Sequence, residues 1–169
     1  GSKALRNNTS GTGNHATGFQ SLYSNTTGNN NTAQGYKSSF ANTTGSGNQA
    51  SGYQSLFSNT TGNNNTVAGY QSSFSNTTGR ANVSIGMNAL RLNSTGNNNV
   101  AVGDSALLAN TASQNTAMGS KALRNNTSGT SNTAMGYQNL FSNVSGNNNT
   151  SIGYQSSFSN TSGRGNVAM

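Results

Sequence analysis

Asn8, Asn25, Asn42, Asn59, Asn76, Asn93, Asn126, Asn143 and Asn160 each stand two places before a Ser or Thr. That is the N-x-[ST] pattern of an N-linked glycan acceptor. They belong to a row of ten equivalent asparagines in which Asn110, followed by Thr111 and Ala112, is the exception. A second row runs beside it: Asn14, Asn31, Asn48, Asn65, Asn82, Asn99, Asn115, Asn132, Asn149 and Asn166. Only Asn82 and Asn149 of that row satisfy the pattern, because a small residue, usually Ala, stands two places after the others. Nine acceptors against two in equally fixed rows predicts that the first row faces outward and carries sugar. The second is then an internal or turn-capping amide ladder. The competing explanation is that N-T-T-G is a favourable β-turn whose Thr serves β-propensity. Acceptors stacked about 4.8 Å apart would crowd their glycans, which predicts incomplete occupancy. Further patterns at Asn7, Asn30, Asn64, Asn125 and Asn148 adjoin these rows and carry less weight.

Little else in the chain can do chemistry. It has one histidine, His15, one acid, Asp104, and no cysteine. A hydroxyl nucleophile needs a base and an orienting partner. Calcium needs several carboxylates. Disulfides and thiolate metal sites are excluded outright. The chain reads as a non-enzyme with no metal and no cofactor other than covalent N-linked glycans. Lys3, Arg6, Lys37, Arg80, Arg91, Lys121, Arg124 and Arg164 give a net charge of +7. They fall in several columns, although Arg6, Arg91 and Arg124 share one. A specific nucleic-acid stripe is therefore not expected, and the charge serves solubility and weak attraction to acidic polymers.

The elements that hold these residues follow from a repeat. Glycines recur at Gly1, Gly18, Gly35, Gly52, Gly69, Gly86, Gly103, Gly119, Gly136 and Gly153, seventeen apart except for a step of 16 at Gly103–Gly119. GSKALRNNTSGT at 1–12 returns unchanged at 119–130. Neither end carries the atypical capping repeat of a free-standing solenoid. Residues 1–169 thus read as one tandem-repeat segment, an excerpt of a longer array, with an irregular repeat at 103–118. In that repeat Ser113 is expected to take the place of the turn glycine. Only 5% of residues are charged and there is no proline. A typical domain is about a quarter charged, so something other than a large oily core must order this chain.

Gly, Asn, Ser and Thr fill most positions, and a glycine per repeat would cost about 1 kcal/mol each inside a helix. N-T-A-M-G at Asn132–Gly136 and N-V-A-V-G at Asn99–Gly103 alternate like short strands. The predicted fold is all-β, a β-solenoid of ten repeats with about one coil per repeat and two short strands in each coil. A column alternating Leu22, Ser39, Leu56, Ser73 and Leu90 leaves a 34-residue coil of two unequal halves open. Ala16, Ala33, Ala50, Ala117 and Ala134, with Leu22, Leu56, Leu90, Leu107, Leu123 and Leu140, fill a thin core. Two aromatic ladders are expected, mainly as core packing. One is Phe19, Tyr36, Tyr53, Tyr70, Tyr137 and Tyr154, and the other is Tyr23, Phe40, Phe57, Phe74, Phe141 and Phe158.

The N-[TV]-A-[MIV]-G phrases at Asn99–Gly103, Asn115–Gly119 and Asn132–Gly136 resemble the head repeats of trimeric autotransporter adhesins, and similar phrases occur in tail-fibre-like repeat proteins. The resemblance covers about a third of each repeat. It implies a β-roll, exposure at the cell surface, and attachment to cells or matrix. This repeat is longer than the usual head repeat and has a second aromatic column, so trimerisation does not carry over.

These observations together predict a structural, N-glycosylated fibre or sheath, extracellular or at the cell surface. Its partners are copies of itself or further repeats of the same chain, with no membrane span in this segment. The alternative is an adhesin or tail-fibre module recognising cell-surface or matrix glycans. Ice binding through a Thr ladder is a third reading, which sugars on the Asn-Thr-Thr edge would obstruct.

Overall fold

The computed structural model describes residues 1–169 and contains ten strands and no helix. The strands are β1 (His15–Thr17), β2 (Thr32–Gln34), β3 (Gln49–Ser51), β4 (Thr66–Ala68), β5 (Val83–Ile85), β6 (Val100–Val102), β7 (Thr116–Met118), β8 (Thr133–Met135), β9 (Thr150–Ile152) and β10 (Val167–Ala168). They form one parallel sheet in sequence order. Each pairs in register with the next, as in Ala16↔Ala33 and Ala50↔Val67. One coil therefore takes one 17-residue repeat, which excludes the 34-residue coil. The protein is a parallel β-solenoid built of tandem repeats.

The strand is short because its sequence permits only three pleated residues between an asparagine and a glycine. Side chains alternate across the sheet, so the middle residue points in and its neighbours point out. Ala33, Ala50, Val67, Ser84, Ala101, Ala117, Ala134 and Ser151 are accordingly buried. Gly52 ends β3 at φ 131°, a conformation that L side chains rarely adopt. A Cβ there would lie 2.5 Å from the carbonyl oxygen of Gly69 on the next coil. Only glycine lets the backbones approach this closely.

The expected second strand is absent. After the glycine, alternate residues take positive φ instead: Gln20 at 55° and Leu22 at 48°, then Lys37 at 52° and Ser39 at 49°. This wall still bonds to both neighbouring coils. Leu22 N donates forward to Ser38 O at 3.0 Å, whereas Gln20 N donates back to Ser2 O at 3.0 Å. A left-handed L residue costs about 1–2 kcal/mol. Burying a leucine returns roughly 1.5–3 kcal/mol, and Leu22, Leu56, Leu90, Leu107, Leu123 and Leu140 are at most 1% exposed.

The core is one side chain thick, with alanines on the strand wall and leucines opposite. Its composition changes along the axis. From Ala89 to Leu140 it is a continuous apolar cluster, while earlier coils contribute only Ala50, Leu56 and Val67 to a cluster of their own. Serines fill the difference there. Ser38 Oγ lies 2.9 Å from Ser55 Oγ and donates to Ala50 O at 3.0 Å.

Candidate functional site

The asparagine corner is where sequence and structure diverge. The first row, expected outside, is interior: Asn25, Asn42, Asn59, Asn76, Asn93, Asn110, Asn126 and Asn143 are at most 1% exposed. Each Nδ2 is engaged. Asn59 Nδ2 donates to Asn42 Oδ1 of the preceding coil at 2.7 Å and to Gly62 O of its own turn at 3.0 Å. A glycan on this nitrogen would remove a buried donor and require space that the packed corner lacks. The acceptor assignment at Asn8, Asn25, Asn42, Asn59, Asn76, Asn93, Asn126, Asn143 and Asn160 is therefore corrected. In the N-T-T-G coils the residue after the asparagine bonds its hydroxyl along the axis, as Thr43 Oγ1 does to Thr60 O at 3.0 Å.

The second row is also buried and more heavily bonded. Asn48 donates from both its backbone N (2.9 Å) and its Nδ2 (3.2 Å) to Asn31 Oδ1, and its Nδ2 reaches forward to Gly62 O at 2.8 Å. Both rows thus converge on the carbonyl of the turn glycine. Stacking places that carbonyl between donors of its own coil and the preceding one, and an amide alone offers a donor and an acceptor at the required span.

The short repeat interrupts one row. Asn110 Nδ2 bonds Ala112 O at 2.7 Å, two residues on rather than three, and makes no bond to Asn93. Asn93 Oδ1 is left buried without a partner. Asn99 Nδ2 also bonds Ala112 O, at 2.9 Å, so Ala112 and not Ser113 occupies the turn-glycine position. Ser113 aligns with the next column, where its Oγ accepts from Asn97 N at 2.9 Å.

The aromatics form ladders, but outside the core. Phe19, Tyr36, Tyr53 and Tyr70 stack with centroids 5.2–5.6 Å apart. Tyr23, Phe40, Phe57 and Phe74 do so at 5.0–5.2 Å. Tyr137–Tyr154 and Phe141–Phe158 repeat the two stacks further along. Rings of the first row are exposed, Tyr53 by 43%. Arg6, Arg91 and Arg124 occupy the second aromatic column and close its stacks, with guanidinium carbons 5.9, 5.6 and 5.9 Å from the rings of Tyr23, Phe74 and Phe141. Their shared position at the ends of the ring stacks is why these arginines align.

The outward sheet face changes character along the rod. Thr17, Gln34 and Ser51 give way to Ile85, Met118, Met135 and Ile152, each of the last four 38–44% exposed. The single concavity lies on the polar part, an open depression lined by residues of β2, β3 and β4. His15 sits on the outer face of β1 with its Nε2 3.2 Å from Thr17 Oγ1. Asp104 accepts from Ser105 Oγ at 3.1 Å. No group of His, Asp and Glu could hold a metal ion, and no helix is long and apolar enough to cross a membrane. No protein-family model matches the chain, and neither a curated protein nor a solved structure does so.

Proposed function

We propose that this chain is a non-catalytic structural segment of an extracellular repeat filament, whose work is to hold length and stiffness. The observation that carries the reading is the axial bonding of the coils, continuous in the parallel strand ladder from β1 to β10 and interrupted in the first amide row only at the short repeat. Backbone ladders, amide rows and ring stacks all run along one direction, so each coil is a template for the next. A stack of this kind extends by adding repeats without any new contact being invented. The resemblance to adhesin head repeats in the N-[TV]-A-[MIV]-G phrases fits such a surface rod.

An adhesin or tail-fibre module is the second reading, favoured by the exposed Tyr36, Tyr53 and Tyr70 edges beside the Gln54–Gln71 amide pair, bonded at 2.9 Å. Sugar recognition by aromatics uses ring faces, however, and each inner ring here spends both faces on its neighbours. Ice binding has less support, since the outward position of the strands reads His15, Thr32, Gln49, Thr66, Val83, Val100, Thr116, Thr133, Thr150 and Val167, with threonines on successive coils only in the run Thr116–Thr133–Thr150.

Solution scattering of this segment tests the first reading. Ten coils at about 4.8 Å each predict a stiff rod close to 50 Å long. A flexible or globular envelope would overturn it. Retention of a defined oligosaccharide by the sugar-free protein would favour the second.

A further inference from the structure

We infer that Asn30, Asn64 and Asn148, not the fixed asparagine rows, are the N-glycan acceptors of this protein. The inference rests on the extracellular reading, because the sugar donor is met outside the cytosol. Three properties separate these asparagines from the other N-x-[ST] patterns. First, all three side chains are exposed, whereas the fixed rows are interior everywhere but on the terminal coils, at Asn8, Asn14, Asn160 and Asn166. Second, no side-chain hydrogen bond within the chain engages their amides. Third, the hydroxyls of Thr32, Thr66 and Thr150, two places on, are equally unengaged. Asn7 and Asn125 fail this last condition. Thr9 Oγ1 donates to Thr26 O at 2.9 Å, and Thr127 Oγ1 donates to Val144 O at 3.2 Å.

Geometry at the corner supplies the room. Asn30, Asn64 and Asn148 have φ of 56°, 58° and 58°, at a projecting bend where asparagine is among the few side chains that tolerate the left-handed region. Their column alternates in size. Gly13 and Gly47 flank Asn30, and Gly47 and Ala81 flank Asn64. Asn30 and Asn64 are thus two coils apart, about 9.6 Å, with nothing larger than a methyl group between them. This relieves the crowding that a sugar on every coil would meet. Asn98 continues the column but has Val100 two places on, so it lacks the acceptor hydroxyl.

The donor is a lipid-pyrophosphate-linked oligosaccharide. The Asn Nδ2 attacks the anomeric carbon and forms the N–C bond as the C–O bond to pyrophosphate breaks. The lipid pyrophosphate leaves with that electron pair, and one amide proton passes to base. The product keeps one N–H, which at an exposed corner costs no buried bond.

The test is glycopeptide mass spectrometry on the protein from its native source, paired with secretory expression of the chain and its N30Q/N64Q/N148Q variant. The same column already holds Gln114 at φ 63°, so glutamine fits the backbone there. The expected result is hexosamine-containing glycan on Asn30, Asn64 and Asn148, none on Asn25, Asn59 or Asn143, and collapse of the variant to the bare polypeptide mass with its β-sheet spectrum intact. Glycan on the interior rows, or a native chain bare at all three corners, overturns the inference. A bare chain that still scatters as a stiff rod overturns this assignment and leaves the filament reading standing. A glycosylated chain without a rod shape does the reverse.

Discussion

Asn42 donates its side-chain Nδ2 to the side-chain oxygen of Asn25, 17 residues earlier, at 2.7 Å in a corner closed to water. The same relation repeats from Asn8 to Asn93 and again from Asn110 to Asn160. It makes the amide row an internal fastening rather than a place for attachment.

Removing one amide should therefore cost more than a surface substitution. Asn59→Ala strands Asn42 Oδ1 and one donor of Asn76, since both bond only to Asn59 in that direction. Each orphaned buried group costs about 1–3 kcal/mol, so a loss of about 2–6 kcal/mol is expected in urea unfolding. Asn30→Ala, at the exposed corner, breaks no hydrogen bond and loses only asparagine's tolerance of positive φ, so it should cost no more than about 1 kcal/mol, in a column where Ala81 already holds φ 55°.

The break at Asn93 is repairable. Inserting a Thr after Thr111, together with Ala112→Gly, restores the N-T-T-G turn and gives Asn93 Oδ1 a donor. Stability should rise by about 1–2 kcal/mol. Hydrogen exchange across the unrepaired Asn93–Asn110 step should separate the coils before and after it into two blocks. The insertion should merge them.

Ser39 is buried with an unpartnered hydroxyl, in a column where leucine is the commoner occupant. Its φ of 49° matches the 48–51° of the buried leucines, and Leu107, Leu123 and Leu140 stack on successive coils without a gap. Ser39→Leu should raise the thermal midpoint, with a gain of about 1–2 kcal/mol from apolar burial. A lowered midpoint would mean that the Ser38–Ser55 layer has already filled the space.

Gly52→Ala should act in the opposite sense. The added methyl meets a backbone oxygen that cannot move without shifting the neighbouring coil, and the backbone angle itself is unfavourable. A loss of at least about 2 kcal/mol is expected. The damage should spread to adjacent coils in hydrogen exchange, because each coil rests on its neighbours.

Much of this molecule was legible in the row of residues alone. The glycine spacing set the coil length, the A-column and L-column marked the two walls of the core, and the absence of helix followed from composition. Like residues over like residues required ladders, and the ring stacks and amide rows are those ladders. What the sequence could not decide was which side of the backbone each row faces. Two asparagine rows of equal regularity look like one outside and one inside when judged by the Ser or Thr that follows. Only the folded corner reveals that a single turn-glycine carbonyl gathers donors from both, as Gly62 does from Asn59 and Asn48. The second wall was hidden for a related reason. Gln20 and Leu22 have no side-chain preference for positive φ, so a left-handed alternation imposed by stacking leaves no mark in residue type. Period is a property of the chain, whereas inside and outside are settled by the sign of backbone angles that neighbouring coils enforce.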